Sequence, residues 1–198
     1  MDATTLQRVK WLLPNADQST EEDALLAAMI TSVSAHVETF LRRSLESKSR
    51  TEDQDVRQSQ LRFFLPAYPI AASPALVLYN DWNRVFDAAT IVDASLYTID
   101  TERGLVLMDK AYLTTGLRVA RFTWTGGLAT TPELLAAAYP TITMAASYQV
   151  ANEFRRRKRL DVSSVNLGGA GIAIAGEIKL LDHVTAMLQP YRREGILR

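Results

Sequence analysis

Acid–base, nucleophilic and metal chemistry draws on Cys, His, Ser and paired carboxylates, and this chain is poor in the first two. It has no cysteine and two histidines, His36 and His183. With no thiol, disulfide frameworks, thiolate zinc sites and cysteine nucleophiles are all excluded. His36 falls at the edge of an apolar helical stripe, and His183 lies in a helical stretch near the C-terminus. Neither opens an H-E-x-x-H pair, so both read as structural. Asp53 and Asp55 form a carboxylate pair able to approach a cation, but the surrounding polar run lacks the rest of a calcium loop. Gly171 and Gly176 have the spacing of a phosphate-binding loop, yet Glu177 stands where such a loop needs lysine. A carboxylate there repels phosphate. Gly169 and Gly171 lack the third glycine of a dinucleotide fingerprint, and there is no G-x-S-x-G elbow. No catalytic residue, metal ligand or cofactor is expected.

One charge feature rises above background: Arg155, Arg156, Arg157, Lys158 and Arg159 in succession. At 100° per residue these side chains circle a helix, so some face solvent and others can face a partner. Two readings stay open. The run is a favourable cation cluster at a helix C-terminus, or it meets an acidic protein surface or DNA phosphate. No aromatic residue is interleaved with it, which argues against single-strand stacking. Arg192, Arg193 and Arg198 make a second, smaller basic group.

The bulk composition sets the frame for these features. There are 198 residues, 22 Lys plus Arg against 22 Asp plus Glu, and 47% hydrophobic residues. That is enough for one well-cored domain and excludes wholesale disorder. Zero net charge excludes a general nucleic-acid coat and removes a barrier to self-association. The N-terminal residues lack the apolar core of a signal peptide, and no apolar run reaches the roughly 18 residues of a membrane span. The expectation is a soluble protein made in a reducing cytoplasm, with no membrane contact.

The elements follow from periodicity. A helix is predicted over about 20–45, capped by Ser19 or Thr20. Leu26, Met29, Ile30, Val33, Val37, Phe40 and Leu41 line one third of its wheel. Trp11, Leu12 and Leu13 before Pro14 suggest a short helix or turn. Residues 46–60 are polar and aperiodic, a loop or the ragged start of a strand. A β-rich insertion over about 61–125 has strands at Leu61–Leu65, Ala75–Tyr79, Tyr97–Asp100, Leu105–Met108 and Leu117–Trp124, punctuated by prolines and glycines. Pro132 opens helices running to about 159, with a break at Tyr139–Pro140. From Ile142 to Phe154 the helix is apolar on nearly every face, which asks for burial on several sides and suggests a neighbouring subunit. Residues 161–176 are small and glycine-rich, hence flexible or extended, and a terminal helix runs from about 177 to 189. The fold class is α+β, mainly helical. It is a single domain over 1–198, a small helix bundle with an inserted antiparallel β-sheet, a flexible C-terminal segment and a short last helix.

Five phrases in this order resemble the head–tail connector (adaptor, head-completion) proteins of long-tailed bacteriophages. They are DALLAAMITSVSAHVETFLRRSL, LRFFLPAYPIAASPALVLYND, YTIDTERGLVLMD, RVARFTWTGGLATTPELLAAA, and the Ser/Gly segment leading to LLDHVTAMLQPYRR, together covering about residues 20–194. The resemblance implies a virion structural protein in the phage neck, made in the host cytoplasm. It implies a homo-oligomeric ring, a dodecamer, below the portal of the DNA-filled head. The implied partners are other copies of itself, the portal protein, the next neck or tail protein, and packaged DNA in the lumen. Arg155, Arg156, Arg157, Lys158, Arg159, Arg192 and Arg193 are the candidate contacts to partner or DNA. Ser163, Ser164, Gly168, Gly169, Gly171 and Gly176 belong to a segment expected to order on docking. The alternatives are a DNA-binding accessory protein using residues 155–159, or another neck or tail-completion protein.

Overall fold

The computed structural model describes residues 1–13, 20–109, 112–156, 164–167, 170–173 and 179–193. The chain forms two compact units, one from Met1–Arg42 with Thr131–Arg198, the other from Arg43–Thr130. Among the described residues the first holds five α-helices: α1 (Leu6–Trp11), α2 (Asp23–Leu41), α3 (Pro132–Ala138), α4 (Pro140–Arg156) and α5 (Asp182–Leu188). The described residues of the second hold six strands: β1 (Lys48–Val56), β2 (Arg62–Phe64), β3 (Val77–Asn80), β4 (Tyr97–Asp100), β5 (Leu105–Met108) and β6 (Gly116–Gly126). A separate hairpin, β7 (Ser164–Leu167) with β8 (Ala170–Ala173), lies between α4 and α5 in sequence. The class is α+β.

In the helical unit α4 is the axis, packed against α1, α2, α3 and α5. Its interruption falls where the sequence places it. Tyr139 leaves helical geometry at φ −132°, ψ 62°, and Pro140 begins the longer helix. Thr131 caps α3 by accepting from the Leu134 N–H, with Pro132 in the first turn. The apolar circumference of α4 is explained within the chain. Ile142, Ala145, Ala146, Val150, Ala151 and Phe154 are buried among the other four helices, while Met144 and Tyr148 stay exposed. No neighbouring subunit is needed to cover it, because α1 and α5 add two walls that the periodicity of α4 does not disclose. Small hydroxyls let the N-terminal residues approach closely. Ala3 N–H donates to Ser34 Oγ at 2.8 Å, and Thr4 Oγ1 meets Ser147 Oγ at 2.7 Å.

Helix α2 is shorter than expected at both ends. It starts after Glu22, with no side-chain cap, and stops at Arg42, which adopts the left-handed conformation (φ 55°) and turns the chain into the sheet unit. Its length and mean hydropathy of 1.5 would suffice to cross a bilayer, contrary to the expectation from runs alone. The hydropathy arises from a buried stripe, Leu26, Ile30, Val33, Val37 and Leu41, joined to small residues on the other faces. The stripe packs against α4, as in the core helix of a folded domain.

The second unit carries two three-stranded antiparallel sheets, ordered β1-β6-β3 and β2-β5-β4. Five strands lie where alternation and turn residues predict them. β1 does not, since the same residues read as a polar loop or a ragged strand start. It is a nine-residue strand paired with β6 from Lys48↔Gly126 to Gln54↔Ala120, and its ladder partner lies some 65–80 positions away. The core of this unit sits under β6, whose Ala120, Phe122 and Trp124 are buried with Phe63, Leu78 and Val106. Phe63 and Phe122 lie tilted at 5.4 Å, and Trp124 Nε1 donates to the Ala67 carbonyl at 2.8 Å. Burial of each large side chain is worth roughly 1.5–3 kcal/mol. The Gly126–Gly127 stop is sterically required: Gly127 has φ +137°, and a Cβ there would lie 2.2 Å from the Glu46 carbonyl oxygen.

Candidate assembly surfaces

The described part of the basic run sits at the C-terminal end of α4. Arg155 is exposed, and its Nη2 donates at 2.6 Å to the carbonyl of Leu12, the residue that ends α1. A cation thus satisfies a carbonyl left open at a helix C-terminus and complements its negative end. The helix served is α1, rather than the α4 that carries the arginine. Arg156 is half-buried and also engaged within the chain. Arg157, Lys158, Arg159 and Arg198 lie outside the described residues. The second basic group is at the other end of α4. The Arg192 guanidinium stands 5.1 Å over the Phe40 ring, and the Arg193 N–H donates to the Leu41 carbonyl at 2.9 Å, closing the end of α2. Tyr191 meets Tyr139, just before α4, edge-on at 6.1 Å. The two groups are therefore about 24 Å apart along a helix of this length, and the fold does not gather them into one patch.

Ser164 and Gly171 of the small-residue segment lie in the β7–β8 hairpin, an extended, non-helical conformation as the composition implies. Ser163, Gly168, Gly169 and Gly176 lie outside the described residues. The residues before α5 are tied to α4 by Gln149, whose side chain is buried. Its amide accepts from Leu181 N–H at 3.0 Å and donates to Glu153 Oε1 at 2.8 Å and the Lys179 carbonyl at 3.3 Å. Beside it lies a cleft of about 190 Å3 lined by Leu12, Tyr148, Ala151, Asn152, Arg155, Leu181 and His183. His183 is exposed and packs edge-on against Tyr148 at 5.9 Å. His36 is exposed on α2.

The sheet unit offers a surface that the sequence reading missed. Asp81 is buried, and its carboxylate accepts from the backbone N–H groups of Asn83, Val85 and Phe86 at 2.7–3.0 Å. These bonds, that from Phe86 foremost, hold the carboxyl below its ordinary range despite the cost of burial. They lock loop 81–86 against the start of β6, with Trp82 packed over Gly116. Held this way, the loop leaves Trp82 64%, Val85 69% and the nearby Leu117 69% exposed, with Tyr112 at 66% in the segment before β6. Clustered exposed aromatics and aliphatics mark contact surfaces. The signal in the sequence was a tryptophan inside the polar turn DWNR.

Asp53, raised above as half of a carboxylate pair, faces Arg121 across the β1–β6 ladder. The guanidinium donates twice, Nε to Oδ1 at 2.7 Å and Nη2 to Oδ2 at 3.0 Å, and so draws the carboxyl below its ordinary range. Arg121 also lies 4.0 Å over the Phe86 ring, which meets Tyr79 edge-on. Asp55 accepts from the Arg118 N–H. Both carboxylates are thus structural, and among the described residues no three His, Asp or Glu side chains gather as a metal site.

A family model for head completion proteins matches residues 5–194, nearly the full length of both units. The chain belongs to the head completion protein family. No curated protein sequence matches it significantly. Among solved structures, it is similar to a chain in a virion of a native gene transfer agent particle, at 16% identity and TM-score 0.61, covering 97% of this chain and 88% of that one. It is also similar to chains in the neck of the empty particle, computed with C6 symmetry, and of the native particle, computed with C12 symmetry. Each shows 19% identity and TM-score 0.59, over 100% of this chain and 96% of the other. At these identities the likeness establishes a shared fold. Membership of the head completion family agrees with the resemblance read from the five sequence phrases.

Proposed function

We propose that this head completion protein is a structural component of a virion neck. In this reading it forms a homo-oligomeric ring below the portal, joins the DNA-filled head to the next neck or tail protein, and performs no catalysis. The observation that carries the reading is the family match along residues 5–194, which leaves no large part of the chain for another activity. The physical features support it. The carboxylates Asp53 and Asp55 are committed to Arg121 and to the Arg118 N–H. The rigid loop presenting Trp82 and Val85 supplies the kind of pre-ordered anchor that protein interfaces use. A ring of identical subunits requires two different patches on each copy, one meeting the other around the axis. The neck structures of like fold were computed with C6 and C12 symmetry, which fits such a ring, a dodecamer in the second case.

The segment 161–176 is the proposed docking arm, with Ser163, Ser164, Gly168, Gly169, Gly171 and Gly176 providing backbone that pairs with a neighbour. Arg155 already serves the end of α1 and Arg192 lies over the Phe40 ring, so the proposed contact with packaged DNA in the lumen rests on Arg157, Lys158 and Arg159. The DNA-binding alternative is correspondingly weaker. The test is genetic and then biochemical. Particles made without this protein should accumulate as DNA-filled heads lacking tails, and purified protein should restore joining. Normal tailed particles in its absence would reject the proposal.

A further inference from the structure

Strand β1 is an outer strand of its sheet and pairs on one side only, with β6. The ladder fixes which backbone groups lie on its open side. The Asp81 N–H donates to the Val119 carbonyl, so the odd-numbered residues of β6 turn their backbone groups toward β3. The even-numbered Ala120, Phe122 and Trp124 therefore serve β1, opposite Gln54, Glu52 and Arg50. That leaves the N–H and C=O groups of Ser49, Thr51 and Asp53 directed away from β6. No hydrogen bond from another described residue reaches those backbone groups, and Ser49 and Thr51 are exposed. Other edges in this unit are met. The Val92 N–H donates to the Leu78 carbonyl beside β3, and Gln54 Nε2 donates to the Phe64 carbonyl of β2. β1 contains no proline, and its shift of register, between Gln54 and Val56, lies beyond the open stretch. Folded proteins usually blunt or cover so long an edge.

The β7–β8 hairpin has the converse need. Among the described residues its two strands pair only with each other, and a lone two-stranded hairpin is marginally stable in water. From Val162 to Gly176 the sequence carries no charge, so no charged side chain opposes its joining a larger sheet. Each hairpin strand has four residues and fits between Ser49 and Gln54. Every copy of the chain thus carries both an open acceptor edge and a hairpin short of a third strand. Two different patches that fit each other make a head-to-tail contact, which closes into a ring when the rotation allows. We infer that the open edge of β1 receives the β7–β8 hairpin of the next copy, extending the β1-β6-β3 sheet across the subunit boundary. This rests on the reading of the chain as a ring-forming neck protein and names the surface on which its arm docks.

The test uses full-length chains assembled on purified portal. The chain has no cysteine, so Thr51→Cys and Asn166→Cys each carry a single thiol. Mixed in equal amounts and treated with a short bis-maleimide, which tolerates a shift of register, they should form a covalent dimer holding one chain of each kind. Ile172→Cys in place of Asn166→Cys probes the second hairpin strand. Either variant alone should give at least about tenfold less dimer, since like positions do not meet across a head-to-tail contact. Thr51→Pro removes an outward N–H and none of the β1–β6 bonds. Its melting temperature should stay near that of the wild type while assembly weakens at least about tenfold. Assembly without mixed dimer from either hairpin strand, or undiminished assembly by Thr51→Pro, would overturn the inference and leave the ring standing. Slowed amide exchange at Ser49, Thr51 and Asp53 without mixed dimer would also overturn it, because the edge would then be held by the portal. Failure of the wild type to assemble would overturn the ring and this contact together.

Discussion

Asp53 and Arg121 show what single residues contribute. Their two parallel hydrogen bonds cross the β1–β6 ladder, the longest among the described residues, at a half-buried position, and Phe86 shields the guanidinium from above. Asp53→Asn should cost about 1 kcal/mol at neutral pH. The sign of its pH dependence is fixed by the direction of the shift. Because the folded carboxyl sits below its ordinary value, its stabilisation is complete above about pH 4 and is lost as pH falls through the folded pKa. Thermal melts of wild type and Asp53→Asn should therefore converge in acid, and a constant gap down to pH 2 would contradict the assignment. Asp81 has the same direction for a different reason, its backbone N–H donors, so it adds to the same acid-side loss. Trp124→Phe tests the core from inside. It removes a buried N–H bond and leaves the Ala67 carbonyl unpaired, a loss of about 2–3 kcal/mol by chemical denaturation. The sequence identified Arg155 but not its task, because its acceptor, Leu12, is 143 positions away. Long-range hydrogen bonds leave no mark in local spacing.

Elements were legible where local signals and packing agree. The Pro140 break, the strands flanked by prolines and glycines, and the Gly126–Gly127 stop are each dictated by backbone sterics within a few residues. β1 escaped because its side chains are polar and its ladder partner is far along the chain, so neither composition nor period two reveals it. The shielding of α4 escaped for a related reason: its walls come from α1 and α5, at opposite ends of the sequence. Gln149 is the hinge of that arrangement. Gln149→Leu fills the same space and strands the Leu181 N–H and Lys179 carbonyl, at about 1–3 kcal/mol. Hydrogen exchange should then accelerate across residues 181–188 while β6 amides stay protected; unchanged exchange in α5 would show that the helix docks without this anchor. The proposed docking arm is tested by deleting residues 163–175. Stability of the helical unit should persist and joining of heads to tails should fail, whereas full joining would remove the arm from the account.

At the scale of the whole molecule, a helical unit and an inserted sheet unit divide the work. The first is tied together by small hydroxyls, helix-end arginines and Gln149. The second holds Trp82 and Val85 outward on a loop fixed by Asp81. With 22 positive and 22 negative side chains, no global repulsion opposes packing identical copies side by side. In the proposed function these copies close into a ring on the portal. The most direct measurement is the native mass of the complex formed when purified protein is mixed with purified portal. A single species with a fixed integer number of copies per portal, twelve for a ring like the C12 neck, is the predicted result. Absence of any complex, or a spread of copy numbers with no closed assembly, would contradict it.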